Sequence, residues 1–415
     1  MKWFLLAAFV AVVGFEYWLS WLNLRHLRRH GQEIPAEFAG VIDGELLART
    51  SAYTRDRNRV GLIESLLGNL LLALFLFGGW VAIYDAWIDS LSESFLLSGL
   101  LFFLGLGVVR GLLDVPFNLY HHFVIEERYG FNTLTWRLWF SDLLKGTLIS
   151  LVLMGLLLTG ALWLVQASPA WWWLWVWGFF ALFSQFVMYV SPYVIEPLFF
   201  KFEPVRRPGL EERITALMER AGLKVSRVFQ VDASRRSRHS NAYFTGIGRV
   251  KRIVLFDTLI EQMDDDEILA VLAHEVGHWK KRHVLKRLVV AQALALVALF
   301  AAHHLITAGV LPGLLGLEQA SFFAQILILS LLATLIGFPL APLSSWLSRR
   351  DEYQADHFAV ELSGAPEALA SGLVTLSREN LANLHPHPWY AAFHYSHPPV
   401  VERVRALRRQ ATAGA

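Results

Sequence analysis

The residues best suited to chemistry are His274-Glu275-Val276-Gly277-His278, within a helical stretch spanning 268–281. Residues four apart lie on one helix face. Two imidazoles so placed can share one Zn²⁺, while Glu275 reaches a water at the ion. Zinc lowers the pKa of such a water to near neutrality. The carboxylate can then take its proton and pass it to a leaving amine. The chain has no cysteine, so thiolate metal sites, disulfides and a cysteine nucleophile are excluded. A catalytic zinc needs a third protein ligand and an open position. Asp351-Glu352-Tyr353-Gln354-Ala355-Asp356 offers carboxylates at Glu352 and Asp356 on one helix face, one for the metal and one to orient a histidine. Asp351 competes with Glu352 for the ligand position. His283, five residues past His278, lies off the ligand face and reads as structural or interfacial.

The elements that carry these residues belong to a membrane protein. Of 415 residues, 55% are hydrophobic and 17% charged, against about 25% charged in an ordinary soluble domain. Mean hydropathy is +0.42. The net charge of +2 gives no argument for a nucleic-acid partner. A bilayer span needs about 20 mostly apolar residues. Seven stretches qualify: 3–24, 62–84, 95–113, 143–165, 171–190, 288–310 and 322–347. The first has bulky Trp18 and Trp21 near its end and no clear cleavage site, so it reads as a retained anchor rather than a signal peptide. The connections 85–94, 167–170 and 311–321 contain no Lys or Arg, and the others hold nearly all of them. The positive-inside rule therefore expects the N-terminus outside and the C-terminus in the cytoplasm. Glu16, Asn69, Gln185, His303 and His304 fall inside spans; Glu16 and Gln185 are the better candidates to face a watery interior. The expected organisation is a five-helix membrane domain (1–190), a first part of a cytoplasmic domain with the two histidines (191–287), two further spans (288–347), and a second cytoplasmic part with the third ligand (348–415). The stretch 252–256 reads as a strand of a small sheet. Many arginines and no obvious organelle signal give the chain a bacterial look; in a bacterium this topology means the inner membrane with the site facing the cytoplasm, and in a eukaryote it would suggest the endoplasmic reticulum.

Five motifs in order resemble the integral-membrane zinc CAAX prenyl proteases, the type that matures prenylated pheromone and lamin precursors, and their bacterial homologues. They are Val124-Ile125-Glu126-Glu127-Arg128-Tyr129-Gly130-Phe131-Asn132, His239-Ser240-Asn241-Ala242-Tyr243-Phe244, His274-Glu275-Val276-Gly277-His278-Trp279-Lys280, Glu352-Tyr353-Gln354-Ala355-Asp356, and Tyr395-Ser396-His397-Pro398-Pro399 with Glu402-Arg403. The resemblance implies a mainly α fold: seven transmembrane helices enclosing a chamber, capped by a cytoplasmic zincin-like domain with a small β-sheet. It implies one zinc per chain, held by His274, His278 and Glu352, with Glu275 as general base and acid. Asp356 would orient a ligand histidine. Asn241 and Ala242 would lie on an edge strand that pairs with the substrate backbone. His397 would stabilise the oxyanion, and Arg403 would hold that part of the site in place.

Each assignment has a plainer reading. Asn241 can make a turn before a strand, His397-Pro398-Pro399 can be a structural corner, and Glu126, Glu127 and Arg128 can form a solvated loop. His385, His387 and His394 read as loop residues near the site mouth. The expected activity is hydrolysis of peptide bonds near the C-terminus of lipidated or apolar protein substrates, at the bilayer. A membrane quality-control zinc protease is the first alternative, and a transporter or scaffold with a structural metal the second. The sequence assigns no oligomeric state.

Overall fold

The computed structural model describes residues 1–245 and 250–413. The N-terminal half is helical: α1 (Lys2–His30), α2 (Gly44–Phe77), α3 (Trp80–Leu91), α4 (Phe95–Tyr120), α5 (Trp136–Ala167) and α6 (Trp172–Val190). A compact segment follows with β1 (Phe202–Pro204), α7 (Leu210–Arg220), β2 (Lys224–Val231), β3 (Ala242–Thr245), β4 (Val250–Phe256), α8 (Asp257–Gln262) and α9 (Asp265–Lys280). The chain returns to apolar helices with α10 (His283–Thr307), α11 (Leu311–Leu314) and α12 (Phe322–Gly337), and leaves them along α13 (Ala341–Ser363). It ends with α14 (Pro366–Glu379), α15 (Pro388–His394) and α16 (Val400–Ala413).

Among the described residues seven helices are long and apolar enough to cross a membrane. Each overlaps one of the seven expected stretches, and most run past the expected ends; two of those ends have a clear cause. The second was expected to run to residue 84, but α2 stops at Phe77. Gly79 there has φ +87°, a left-handed conformation that breaks the helix, so residues 80–84 belong to α3. The seventh continues far past residue 347. Pro339 lies in a short 3₁₀ turn, Phe338–Leu340, after which α13 runs on to Ser363 and stops at Gly364, φ +67°.

One apolar cluster closes one end of the bundle. Phe9, Leu76, Phe77, Val81, Phe102, Leu162, Leu311 and Phe323 pack together there, at the end remote from α9. Between this plug and the β-sheet lies a cavity of ≈1710 Å³. Phe9, Val12, Val13, Glu16, Tyr17, Ser20 and Asn23 form one face of α1 along its wall. Residues of α2, α4, α5 and α12 complete it. Glu16 and Asn69 line the chamber. Gln185, His303 and His304 are absent from its walls, because α6 packs on α10 rather than on the cavity. His303 instead meets the Trp172 ring at 5.9 Å.

The sheet has the order β1-β2-β4-β3. β2 and β4 run parallel, with β1 and β3 antiparallel on the outside. The expected strand at 252–256 is thus the interior strand β4. Its Ile253 and Leu255 join a core with Leu210, Ile214, Met218, Ile268, Leu272, Val276 and Leu373. Among the described residues β3 keeps one edge free of pairing in the sheet.

Candidate metal centre

Helix α9 is set firmly at its start. Asp264 accepts from the Glu267 backbone N–H (2.8 Å), and Glu267 accepts in return from the Asp264 N–H (3.2 Å). The other oxygen of buried Glu267 accepts from Ser371 (2.6 Å) and Thr375 (3.0 Å) of α14. Asp265, Asp266 and Glu267 place negative charge at the positive end of the helix dipole. Against α9 lies α13, and the two touch at Gly277. A Cβ there would sit 2.9 Å from the Ala355 Cα and carbonyl oxygen, so this glycine sets how closely Glu352 approaches the histidines.

The approach brings three ligand atoms together. His274 Nε2 and His278 Nε2 are 3.2 Å apart. His274 Nε2 lies 3.4 Å from Glu352 Oε2, and His278 Nε2 lies 3.2 Å from Glu352 Oε1. Ligands arranged tetrahedrally about zinc at ~2.0–2.1 Å lie about 3.3–3.4 Å from one another, so these separations fit that ion. Glu352 Oε2 is buried without a hydrogen bond of acceptable geometry. Two imidazoles and a carboxylate also match zinc's preference for mixed nitrogen and oxygen donors. The competing carboxylate, Asp351, is turned away and accepts twice from Arg287, at 3.1 and 2.9 Å.

Asp356, one turn beyond Glu352, contacts His274 Nδ1 at 2.8 Å. Its two oxygens also accept from Arg403 Nε (2.9 Å) and Nη2 (2.6 Å). This bidentate pair anchors α16 to the site. Burial alone would lower the His274 pKa, but hydrogen bonds with Asp356 and Glu352 outweigh it and hold the pKa above its ordinary value. Burial likewise opposes the charge on Arg403, and the Asp356 and Glu352 carboxylates keep it protonated.

Glu275 is half-buried and has no hydrogen-bond or ion-pair partner among the described residues. His397 comes to the same cluster, its Nδ1 2.7 Å from Glu352 Oε2, while its side chain stays 63% exposed. Ala242 opens the edge strand β3, paired with Leu255 of β4. Asn241 stands one residue before it. Its carbonyl accepts from the Phe256 N–H (3.0 Å) and its Oδ1 from the Ala242 N–H (2.8 Å).

Other expectations need correction. His385 and His387 do lie in a loop, as expected, whereas His394 ends the helix α15. All three fasten the 385–394 segment to α1 and the turn after it: His385 Nε2 to the Glu33 carbonyl (2.7 Å), the His387 N–H to Asn23 Oδ1 (2.9 Å), and His394 Nε2 to Glu16 Oε2 (3.3 Å). Glu126 is not a solvated loop residue. It is buried in a π-helical turn, His121–Glu126, and accepts from Tyr53 (2.7 Å). His239 Nε2 meets its other oxygen at 3.0 Å, and the His239 ring stacks on Phe131 at 4.1 Å. The first two motifs thus meet at the chamber wall, which includes His239 and Ser240, next to Asn241. His239 Nδ1 also lies 2.7 Å from Asn380 Oδ1; His239, Asn380 and Tyr53 were not singled out from the sequence, because His239 stood inside a motif but its partners are far away in the chain. His283 does reach the site, its Nδ1 3.1 Å from His278 Nδ1.

A multi-span bundle around a chamber, bearing two histidines and a glutamate beside a free glutamate, defines a membrane-embedded metalloprotease. Comparison with known proteins agrees. Residues 23–201 match the family model described as "CAAX prenyl protease N-terminal, five membrane helices", and residues 204–411 match peptidase family M48. The chain is 36% identical over 385 residues to a CAAX prenyl protease 1 homolog of Oryza sativa, covering 90% of each. It is 31% identical to CAAX prenyl protease 1 of Saccharomyces cerevisiae, covering 96% of this chain and 93% of that protein. The crystal structure of S. mikatae Ste24p superposes with a TM-score of 0.90 at 29% identity, over 98% of each chain. The chain therefore belongs to peptidase family M48, in its CAAX prenyl protease branch, and is a membrane-embedded zinc metalloprotease. The quality-control and scaffold readings are not needed.

Proposed function

We propose that this protein is an endopeptidase that cuts near the C-terminus of lipidated or apolar-tailed protein substrates, with one zinc per chain held by His274, His278 and Glu352. The observation that carries this reading is the zinc-sized cluster beside an unengaged Glu275. Zinc bound there would supply a Lewis acid and lower the pKa of a water to near 7. Glu275 takes the proton of the attacking water as its oxygen adds to the scissile carbonyl carbon. It then gives that proton to the amine as the C–N bond breaks. Asp356 fixes the His274 ring, and Arg403 fixes Asp356. His397 has its Nδ1 beside Glu352, which leaves Nε2 for the substrate's developing oxyanion.

The substrate lies extended along the free edge of β3, where main-chain hydrogen bonds recognise it without regard to sequence; Asn241 and Ala242 begin that edge. The chamber exceeds the roughly 300–1,000 Å³ of ordinary small-molecule pockets, and it receives the apolar or prenylated tail. The relatives are named for CAAX prenyl substrates, and that likeness supports the same class here. The residue blocks 1–190, 191–287, 288–347 and 348–415 serve as membrane half, first protease part, membrane pair and second protease part. The distribution of Lys and Arg supports an N-terminus outside and a cytoplasmic active site.

The test is cleavage of a farnesylated CAAX-type peptide by protein purified in detergent, with zinc content measured alongside and the same peptide unfarnesylated as comparison. Faster cleavage of the farnesylated peptide supports the substrate class. Equal cleavage of both removes the lipid's role but leaves the protease standing.

A further inference from the structure

Resting on the zinc-site reading above, we propose that His283 is a positioning residue for zinc: a neutral imidazole, held by Gln354, that fixes the tautomer and orientation of His278. The turn between α9 and α10 is built to place it. Arg282 adopts φ +56°, a left-handed backbone that a non-glycine residue rarely takes. His283 follows directly as the first residue of α10, where it meets the His278 ring and is only 1% exposed.

The hydrogen bonds leave one consistent assignment. His283 Nε2 lies 3.2 Å from Gln354 Oε1 and 3.6 Å from Asp351 Oδ1, both on α13. Oxygens of an amide carbonyl and a carboxylate accept only, so Nε2 carries the proton. In a neutral ring Nδ1 is then an acceptor. The contact between His283 Nδ1 and His278 Nδ1, at 3.1 Å, can hold one proton, and that proton belongs to His278. Protonation of His278 at Nδ1 leaves its Nε2 lone pair facing His274 Nε2 and Glu352. His274 is fixed in the same sense by a different partner, donating Nδ1–H to Asp356. The two ligand histidines therefore have unlike supports, a carboxylate tied to Arg403 for one and an imidazole–amide relay for the other. The relay also ties the start of α10, a membrane span, to the site.

The experiment measures zinc affinity by chelator competition on full-length protein in detergent, together with the ligand-field absorption of the cobalt-substituted form. His283→Leu keeps an apolar volume but no acceptor. His283→Asn puts an amide oxygen where Nδ1 stood. Gln354→Leu and Gln354→Glu act one step further out. Loss of such a partner typically weakens metal binding about 10–100-fold. The expected result is a loss of that size in His283→Leu with an altered cobalt spectrum, recovery of most of it in His283→Asn, and a smaller loss in Gln354→Leu that is absent in Gln354→Glu. Zinc-free thermal unfolding, run on every variant, separates this from a packing defect. Wild-type zinc affinity and cobalt spectrum in His283→Leu overturn the proposal. So does an impairment in His283→Asn equal to that in His283→Leu. If His278→Ala binds zinc as well as wild type, the metal site itself is wrong and the relay falls with it.

Discussion

At the metal cluster His274, His278 and Asp356 each have a neighbour that fixes them, only Glu275 being left without one among the described residues, and the Glu352 and Asp356 side chains are 3% and 5% exposed. Along the α1–α2 side of the chamber the polar groups are wetter and more loosely held. Glu16 is 37% exposed with His394 at 3.3 Å, and Asn69 reaches only Tyr17 (3.1 Å) and Ser65 (3.2 Å). The difference follows from what each region must do. Bond cleavage needs reacting groups held within fractions of an ångström. A chamber needs volume and solvated walls, and many side-chain arrangements provide those.

The sharpest way to break the comparison is at Glu275. Glu275→Gln is expected to lower kcat by about 10²–10⁴-fold while zinc content stays at one per chain, since general-base catalysis contributes about that much. Activity assay and metal analysis on the same preparation check it. Next in size is Asp356→Asn, which cannot accept from both His274 and Arg403 as the carboxylate does. Zinc affinity is expected to fall about 10–100-fold, read by chelator competition. Gly277→Ala presses a methyl group on the Ala355 backbone. It is expected to cost about 1–3 kcal/mol, seen as a lower thermal midpoint. The smallest effect is expected in the chamber, where Asn69→Leu should change stability by no more than about 0.5 kcal/mol and cleavage of a short peptide hardly at all. A large loss there would mean that the chamber wall is as finely set as the metal cluster.

The metal motif was legible because i, i+4 spacing fixes two side chains on one helix face whatever the surroundings. Span number was legible because twenty apolar residues have few other uses. The third ligand was not decided by spacing, because Asp351 and Glu352 are neighbours and only the rotation of α13, set by its contact at Gly277, tells them apart. Helix rotation also hid Gln185: hydropathy shows that a segment crosses the bilayer, not which way each residue faces. His283 was discounted by reckoning along a straight helix. The left-handed Arg282 breaks the helix between α9 and α10, so His283 does not sit where a straight helix would put it. Glu126 looked like a loop residue because its partners, Tyr53 and His239, lie far from it in the chain.

The seventh span runs from the chamber wall through the Pro339 turn and on as α13 to Glu352. This gives biosynthesis a built-in safety catch. The helix with His274 and His278 is made before the last two spans, and with the zinc site proposed above it would have no third ligand until α12 is in the bilayer and α13 has brought Glu352 beside it. A stalled or wrongly inserted copy is therefore unarmed. The protease becomes competent only as the final act of its own membrane assembly.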